Sequence, residues 1–505
     1  MDKIITFLGL KDGNDKINRL FTVFLLLSTF LFFSMVYDML QIHIYRHDSL
    51  YYMADSDTYY RFKVATEGRW INYIFFNILT RLSGELLSLF IVCSFGYFIF
   101  TALCQWSKNH YYSLMVSLFF IQFPPIYNAI LWPATSAPAL AVLFLAVFLQ
   151  KKLNLFLYFV LFGILFFGTI SNYYYLLPLL FLRYFLDHSS QQNVVFFVYK
   201  LIPAWAAGFV SGYVVAQVIV YMDFGHFITI AGWRAPHYIH SFHDLVENIQ
   251  HSVHFLKEHI KLVFSHYWFI ILFLFSFAVS ITGRRNDRLF LPLALFFLIL
   301  IVHYAVIVPV GIYMAPRTAI STWIGLFGMS FFIPSVKKWQ IYVLVPVIVL
   351  FTFTLYLDNH HNLLWYRTIT NTYYDRLLSE SPNSPAQYKG IILYASDADI
   401  KKRNQLISKI HHISEGNTLE NLDAFGRWVP VAREAGFKTA MNCNGEKGRN
   451  VLWHPRENTT YICKRVSKMV LAAKNMPNND LSFYHMIGEY DGKLIIAFNK
   501  HWDHR

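Results

Sequence analysis

Leu20-Phe21-Thr22-Val23-Phe24-Leu25-Leu26-Leu27-Ser28-Thr29-Phe30-Leu31-Phe32-Phe33-Ser34-Met35-Val36-Tyr37 is a run of 18 residues without a charge. As a helix rising 1.5 Å per residue, and continued to residue 41, it is long enough to cross a hydrocarbon core of about 30 Å. Arg19 precedes it and no small-residue cleavage site follows, so it reads as a retained span and not a cleavable signal. Ten comparable runs follow. Their cores are near residues 85–106, 112–130, 136–150, 153–170, 172–186, 198–222, 266–282, 289–310, 318–334 and 340–357. The fold class expected is a polytopic α-helical membrane protein with about 11 transmembrane helices over residues 1–357.

Composition agrees with this reading. The 505 residues are 56% hydrophobic, 19% aromatic and only 14% charged, with a mean hydropathy of +0.38. Soluble domains carry about 25% charged residues, so an ordinary soluble enzyme, a disordered chain, collagen, a coiled coil and a disulfide scaffold are all excluded. The net charge of +13 is spread along the chain: 23 Lys and Arg against 15 Asp and Glu in residues 1–357, and 20 against 15 in residues 358–505. Cations between apolar runs orient a membrane protein, so no nucleic-acid partner is read from them. With the N-terminus inside, 14 cations face the cytoplasm and nine the opposite side, before the C-terminal domain. An odd number of spans then puts the C-terminus outside. Residues 1–18, with Ile4, Ile5, Phe7, Leu8 and Leu10 among charges, are expected to form a short helix on the inner surface.

Residues 358–505 change character, with more charge and short β-like runs at 391–394 and 494–498 beside helix-like stretches such as 398–411. They read as an external C-terminal α/β domain. Cys443 and Cys463 lie in it, where oxidising conditions permit a bridge; spacing leaves open whether they meet. Cys93 and Cys104 lie in an apolar span and read as core residues.

Two outer loops, 42–84 and 223–265, exceed what a connection requires. The second carries Phe242, Leu245, Val246, Ile249, Val253, Leu256 and Ile260 at helical spacing, the pattern of a helix lying in the membrane surface. His237, His240, His243, His251, His254, His259 and His266 accompany it without Cys or an H-E-x-x-H spelling. They read as polar-face residues and not as metal ligands. The first loop contains Asp48, Asp55, Asp57 and Glu67 with Arg46, Arg61 and Arg69, and ends Glu67-Gly68-Arg69-Trp70. One well-placed carboxylate takes a proton from a hydroxyl, and Arg grips phosphate oxygens bidentately, so the mixture suits chemistry with a phosphate leaving group. A solvated loop is the plainer alternative. Asp55-Ser56-Asp57 also spells D-x-D, which leaves a divalent cation, Mg2+ or Mn2+, as an open cofactor; no other cofactor is indicated.

Asp57 followed four residues later by Arg61, then Gly68-Arg69-Trp70 opening a helix, on an eleven-span chain with an external C-terminal domain, resembles the serotype-converting O-antigen glucosyltransferases of enteric bacteria and their phages. The likeness covers the whole layout, on short motifs. In that family two adjacent Asp often precede the Arg, whereas here Thr58 follows Asp57, leaving Asp55 or Asp57 as the working carboxylate. The resemblance implies a GT-C-like enzyme of the bacterial inner membrane with a periplasmic C-terminal domain. It implies a polyprenyl-phosphate-glucose donor, a lipid-linked O-antigen acceptor, and functional links to a donor flippase and a donor synthase. Asp57 or Asp55 would be the base, with Glu67 in reserve. Arg61, Arg69, Trp70, Arg234, Arg317, Trp132, Asn172, Tyr173 and His237 are the candidates for substrate and phosphate binding. For Arg234 and Arg317 the competing reading is headgroup snorkelling, and for the aromatics interface anchoring. An O-antigen polymerase or ligase, or a lipid-linked sugar transporter, is the alternative; the latter expects ionisable groups inside spans, where few occur.

Overall fold

The computed structural model describes residues 15–42, 57–79, 82–231, 234–282, 290–381, 383–396, 431–432, 434–449, 459–474 and 484–498. Asp55, most of residues 1–18 and the stretch 398–411 lie outside them. The chain divides into two compact units, with the main boundary between His361 and Asn362 and the short segment from Gln41 assigned to the second unit. The main boundary falls four residues from the composition change in the sequence.

The first unit is helical, and its surface is the reverse of a soluble protein's. Leu26, Phe30, Phe33 and Tyr37 on helix Asp15–Leu40 are exposed, as are Val210, Val214 and Val218 on Ile202–Phe224 and Ile271 and Leu274 on Tyr267–Thr282. Buried polar side chains instead bond inward to backbone. Ser88 donates to Ile130 O, Tyr112 to Phe331 O and Asn359 to Gln122 O. Apolar groups outside and satisfied polar groups inside suit a bilayer solvent.

Among the described residues four helices are long and apolar enough to cross a membrane: Leu20–Leu40, Gly84–Ser107, Ser190–Phe224 and Lys338–Leu364. Two bent pairs raise the number to six. The eleven expected runs therefore do not appear as eleven full-length crossing helices, for identifiable reasons. Run 112–130 breaks by 65° between His110–Phe120 and Pro124–Ile130, because Pro124 forces Phe123 into extended backbone. Run 172–186 is mostly a 3-10 helix, Ser171–Phe181, with Pro178 inside it. Runs 136–150, 153–170, 289–310 and 318–334 become shorter helices: Pro133–Leu149, Leu155–Phe167, Phe290–Ala305 and Ile320–Phe331. In Ser190–Phe224 a π-helical turn at Phe196–Leu201 stands just before Pro203, which lacks the N–H a regular turn requires.

Helices Leu155–Phe167 and Ile202–Phe224 cross where Gly163 meets Gly208 and Gly212; a Cβ on any of the three would run into the facing backbone. Small residues four apart allow this contact, the usual device for packing helices in lipid. Tyr174 seals the crossing by donating to Trp205 O at 2.6 Å.

In the second unit, the described strands are β1 Gly390–Ala395, β2 Ala440–Asn444, β3 Lys447–Arg449, β4 Tyr484–Tyr490 and β5 Lys493–Phe498. They form one sheet in the order β3-β2-β1-β5-β4, with β1 parallel to β2 and β5 and antiparallel hairpins at both edges. Helix Thr459–Lys474 lays Ile462, Cys463, Val466 and Val470 on Ile392, Tyr394, Met441 and Ile495. Cys443 of β2 is bonded to Cys463 of this helix, with Cα atoms 5.3 Å apart.

Candidate functional site

Helix Asp57–Glu67 and helix Trp70–Leu79 occupy much of what the sequence presents as a long outer loop. Gly68 joins them at φ +71°, and a Cβ there would come within 2.9 Å of Ile228. Only glycine meets both demands without strain. The second helix is docked through its first turn: Ile71 N donates to Gly168 O at 2.9 Å, and Asn72 Nδ2 to Thr135 O at 3.0 Å. Its far side, with Ile74, Phe75 and Ile78, is exposed and apolar.

At the turn between these helices Glu67 gathers three cations. Its side chain is 6% exposed. Lys63 Nζ, one helical turn earlier, donates to Oε1 at 2.9 Å; an Arg69 terminal nitrogen stands 2.6 Å from Oε2, and one from Arg234 3.8 Å. Burial alone would raise the Glu67 pKa, but the charges of Arg69, Lys63 and Arg234 outweigh it and hold the pKa at about 2. A carboxylate so held is a weak base at neutral pH. Its chemistry is to keep three cations together against their mutual repulsion.

Arg234 is fixed by backbone. Its N–H donates to Ala231 O at 2.9 Å, and its carbonyl accepts from Tyr313 N at 2.8 Å. Thr229 N donates to Ala65 O at 3.1 Å, tying this segment to helix Asp57–Glu67. Arg234 also lies within electrostatic reach of His303, whose Nε2 is 3.4 Å from Thr318 Oγ1. Asn172 Nδ2 donates to Thr318 O at 3.3 Å, and the Arg317 guanidinium sits 5.0 Å above the Trp132 ring. Trp70 contributes a buried indole N–H with no acceptor. Lys63, Arg69 and Arg234 thus form one ion-paired group on Glu67, and His303, Thr318 and Asn172 a second, hydrogen-bonded one.

Several candidates stand elsewhere or in another role. Arg61 turns to Asp223, 3.4 Å away, and lies over the Phe224 ring. His237 meets Asn248. Tyr173 and Trp132 are 5% and 6% exposed, so they are packed residues and not lipid-interface anchors. Arg317 lies against Trp132, a placement that headgroup snorkelling does not require. Asp57 opens its helix, with its side chain outside the described part, and Asp55 is outside altogether.

The surface helix Phe242–Val263 corrects the reading of its faces. Asn248, Ser252 and His259 are buried on one stripe, while Phe242, Ile249 and Val253 are exposed. Ser252 donates to Tyr304 O, and His259 Nδ1 lies 2.7 Å from Tyr304 Oη. The polar stripe, with Val263 and the packed Phe255 and Leu256, holds the helix to the protein and leaves Phe242, Ile249 and Val253 outward. His237 and His240 precede the helix, and His266 follows it and pairs with Asp358 at 2.8 Å, so these three are not polar-face residues.

Sequence reasoning passed over Lys63, His303 and Thr318. Lys63 was signalled by its spacing of four from Glu67. The other two depended on contacts across more than 60 residues. No family model matches the chain, and no curated protein or solved structure matches it.

Proposed function

We propose that the chain is a GT-C-type glucosyltransferase of the bacterial inner membrane, with about eleven membrane passes and a periplasmic C-terminal domain. It transfers glucose from polyprenyl-phosphate-glucose to a hydroxyl of a lipid-linked O-antigen repeat. The observation that carries this reading is the group of Lys63, Arg69 and Arg234 around Glu67, outside the membrane-crossing helices and beside apolar surface on helix Trp70–Leu79. The guanidinium groups of Arg69 and Arg234, held on one carboxylate, are of the kind that takes phosphate oxygens bidentately. A lipid phosphodiester fits that chemistry, and its polyprenyl tail has apolar surface to follow. Arg69 and Arg234, 15% and 27% exposed, are placed to meet it.

The chemistry follows from these charges. Asp57 or Asp55 removes the proton from the acceptor hydroxyl, whose oxygen attacks the anomeric carbon opposite the phosphate and inverts the linkage. The C–O bond to phosphate breaks, and the phosphate departs as an anion needing no proton, stabilised by the guanidinium groups. Glu67, held near pKa 2, organises the cations and leaves the proton to the aspartates.

The reading is tested by measuring binding of synthetic polyprenyl-phosphate-glucose to detergent-purified protein. Arg234→Ala and Arg69→Ala are each expected to weaken binding about 10- to 100-fold, the worth of one charged hydrogen bond. The exposed Arg183→Ala, paired with Asp187 elsewhere, leaves it unchanged. Equal affinity in all four proteins, or equal affinity for a donor lacking phosphate, would overturn it.

A further inference from the structure

At the start of helix Phe242–Val263, three ligand atoms converge: Nε2 of His237, which precedes the helix, and oxygens of Asp244 and Glu247 in its first turns all lie within 4.8 Å of one another. Nε2 is 3.8 Å from Asp244 Oδ1 and 3.9 Å from Glu247 Oε2. These separations are too long for hydrogen bonds. They match two ligands on one ion, since bonds of about 2.0–2.2 Å hold ligands up to about 4 Å apart.

The surrounding groups orient each ligand. Asn248 is 1% exposed, and its Nδ2 donates to His237 O at 2.8 Å and Val308 O at 3.0 Å. With the amide nitrogen so used, Asn248 Oδ1 is the acceptor, 3.0 Å from His237 Nδ1. An imidazole proton therefore belongs on Nδ1, which turns Nε2 toward the carboxylates as the nitrogen that can ligate. Asp244 Oδ2 is occupied by the His240 N–H at 2.8 Å, which turns Oδ1 toward the histidine. The other Glu247 oxygen lies 3.3 Å from His243 Nε2. Gly311, at φ +55°, allows the close approach: a Cβ there would strike Asn248 and stand 2.8 Å from His237 O. A ligating Nε2 beside two anionic oxygens calls for positive charge between them, which a metal ion supplies. A metal-bound histidine whose other nitrogen is fixed by a buried partner is the usual arrangement at such sites.

We propose that His237, Asp244 and Glu247 bind one divalent cation of the zinc class, leaving its remaining positions to water or a ligand. One nitrogen and two carboxylate oxygens favour a borderline ion over Mg2+ or Ca2+, which prefer oxygen alone. The ion ties His237 to the first turns of helix Phe242–Val263. This site is separate from the D-x-D spelling at Asp55 and Asp57 and does not depend on the transferase reading.

The test uses full-length protein purified without a histidine tag, stripped with chelator and titrated with Zn2+ by calorimetry. One equivalent is expected, with Mg2+ failing to compete. Asp244→Asn, Glu247→Gln and His237→Gln should each weaken that equivalent at least tenfold, and His243→Ala less than threefold. Co2+ loaded into the wild type supplies a check independent of variant folding: its visible absorption should indicate nitrogen and oxygen ligation and be bleached by one equivalent of Zn2+. No saturable equivalent, or undiminished binding in the three ligand variants, overturns the proposal. So does a wild-type Co2+ spectrum of the hydrated ion.

Discussion

Replacing Glu67 by Gln removes one negative charge from among three positive ones while keeping the shape of the side chain. The cost can be worked from the carboxyl's own titration. Its pKa is 4.5 ordinarily and about 2 in the folded protein. At about 1.4 kcal/mol per unit, that difference contributes about 3 kcal/mol of stability at neutral pH. Because the folded value is the lower one, the contribution is fully present above about pH 4.5 and is lost as pH falls through 2. At pH 3 roughly 1.4 kcal/mol of it remains. Unfolding of detergent-purified wild type and Glu67→Gln is therefore expected to differ by about 3 kcal/mol at pH 7 and by about half that at pH 3. Glu67→Asp, which keeps the charge but draws it away from Lys63 and Arg69, should fall between them. Equal stability of wild type and Gln variant at pH 7, or a gap that does not shrink at pH 3, would refute the ion-pair account.

Other outcomes follow from the same physics. Replacing both Cys443 and Cys463 by Ala opens a loop of 20 residues and should lower the stability of the C-terminal unit by about 3 kcal/mol, read as faster proteolysis of that unit. Gly208→Val pushes methyl groups into Phe159 O and the Tyr174 hydroxyl and should cost about 1–3 kcal/mol, seen as a lower melting temperature, whereas Val218→Ala on the outward face of the same helix should be nearly neutral. Arg317→Lys keeps the charge but loses the planar contact with Trp132; about 1 kcal/mol, or roughly fivefold weaker donor binding, is expected.

Much of the helical layout was legible because apolar run length is a direct physical requirement of a bilayer. Residues 85–106 became helix Gly84–Ser107, and 340–357 became part of Lys338–Glu380. The failures lie where proline or tertiary contacts override length. Pro124 and Pro178 interrupt two runs, whereas run 266–282 appears as Tyr267–Thr282, turned by 92° from the separate helix Phe242–Val263. That turn lays the amphipathic helix along the membrane plane when its successor crosses the membrane. The apolar periodicity of this helix was visible, but its buried stripe of Asn248, Ser252 and His259 was not. Its partners are the backbone at His237 and Val308 and residue Tyr304, and no helical period reports those. At the candidate site Arg69 could be named from Gly68-Arg69-Trp70, and Arg234 from its place beside a Pro near the expected outer end of a run. Their meeting on Glu67 is a long-range contact, and the change in Glu67 from reserve base to charge organiser depends on burial that spacing cannot convey.

The most direct test of the transferase account is glucosyl transfer by the purified protein from synthetic polyprenyl-phosphate-glucose to lipid-linked O-antigen, with wild type, Asp57→Asn, Asp55→Asn and Glu67→Gln compared. The account predicts transfer by the wild type and loss of at least about a hundredfold in one aspartate variant, the usual worth of a general base. For Glu67→Gln it predicts a loss expressed chiefly in KM for the donor. A folded wild type that transfers no hexose from any polyprenyl-phosphate donor, or retains full activity in both aspartate variants, would contradict it.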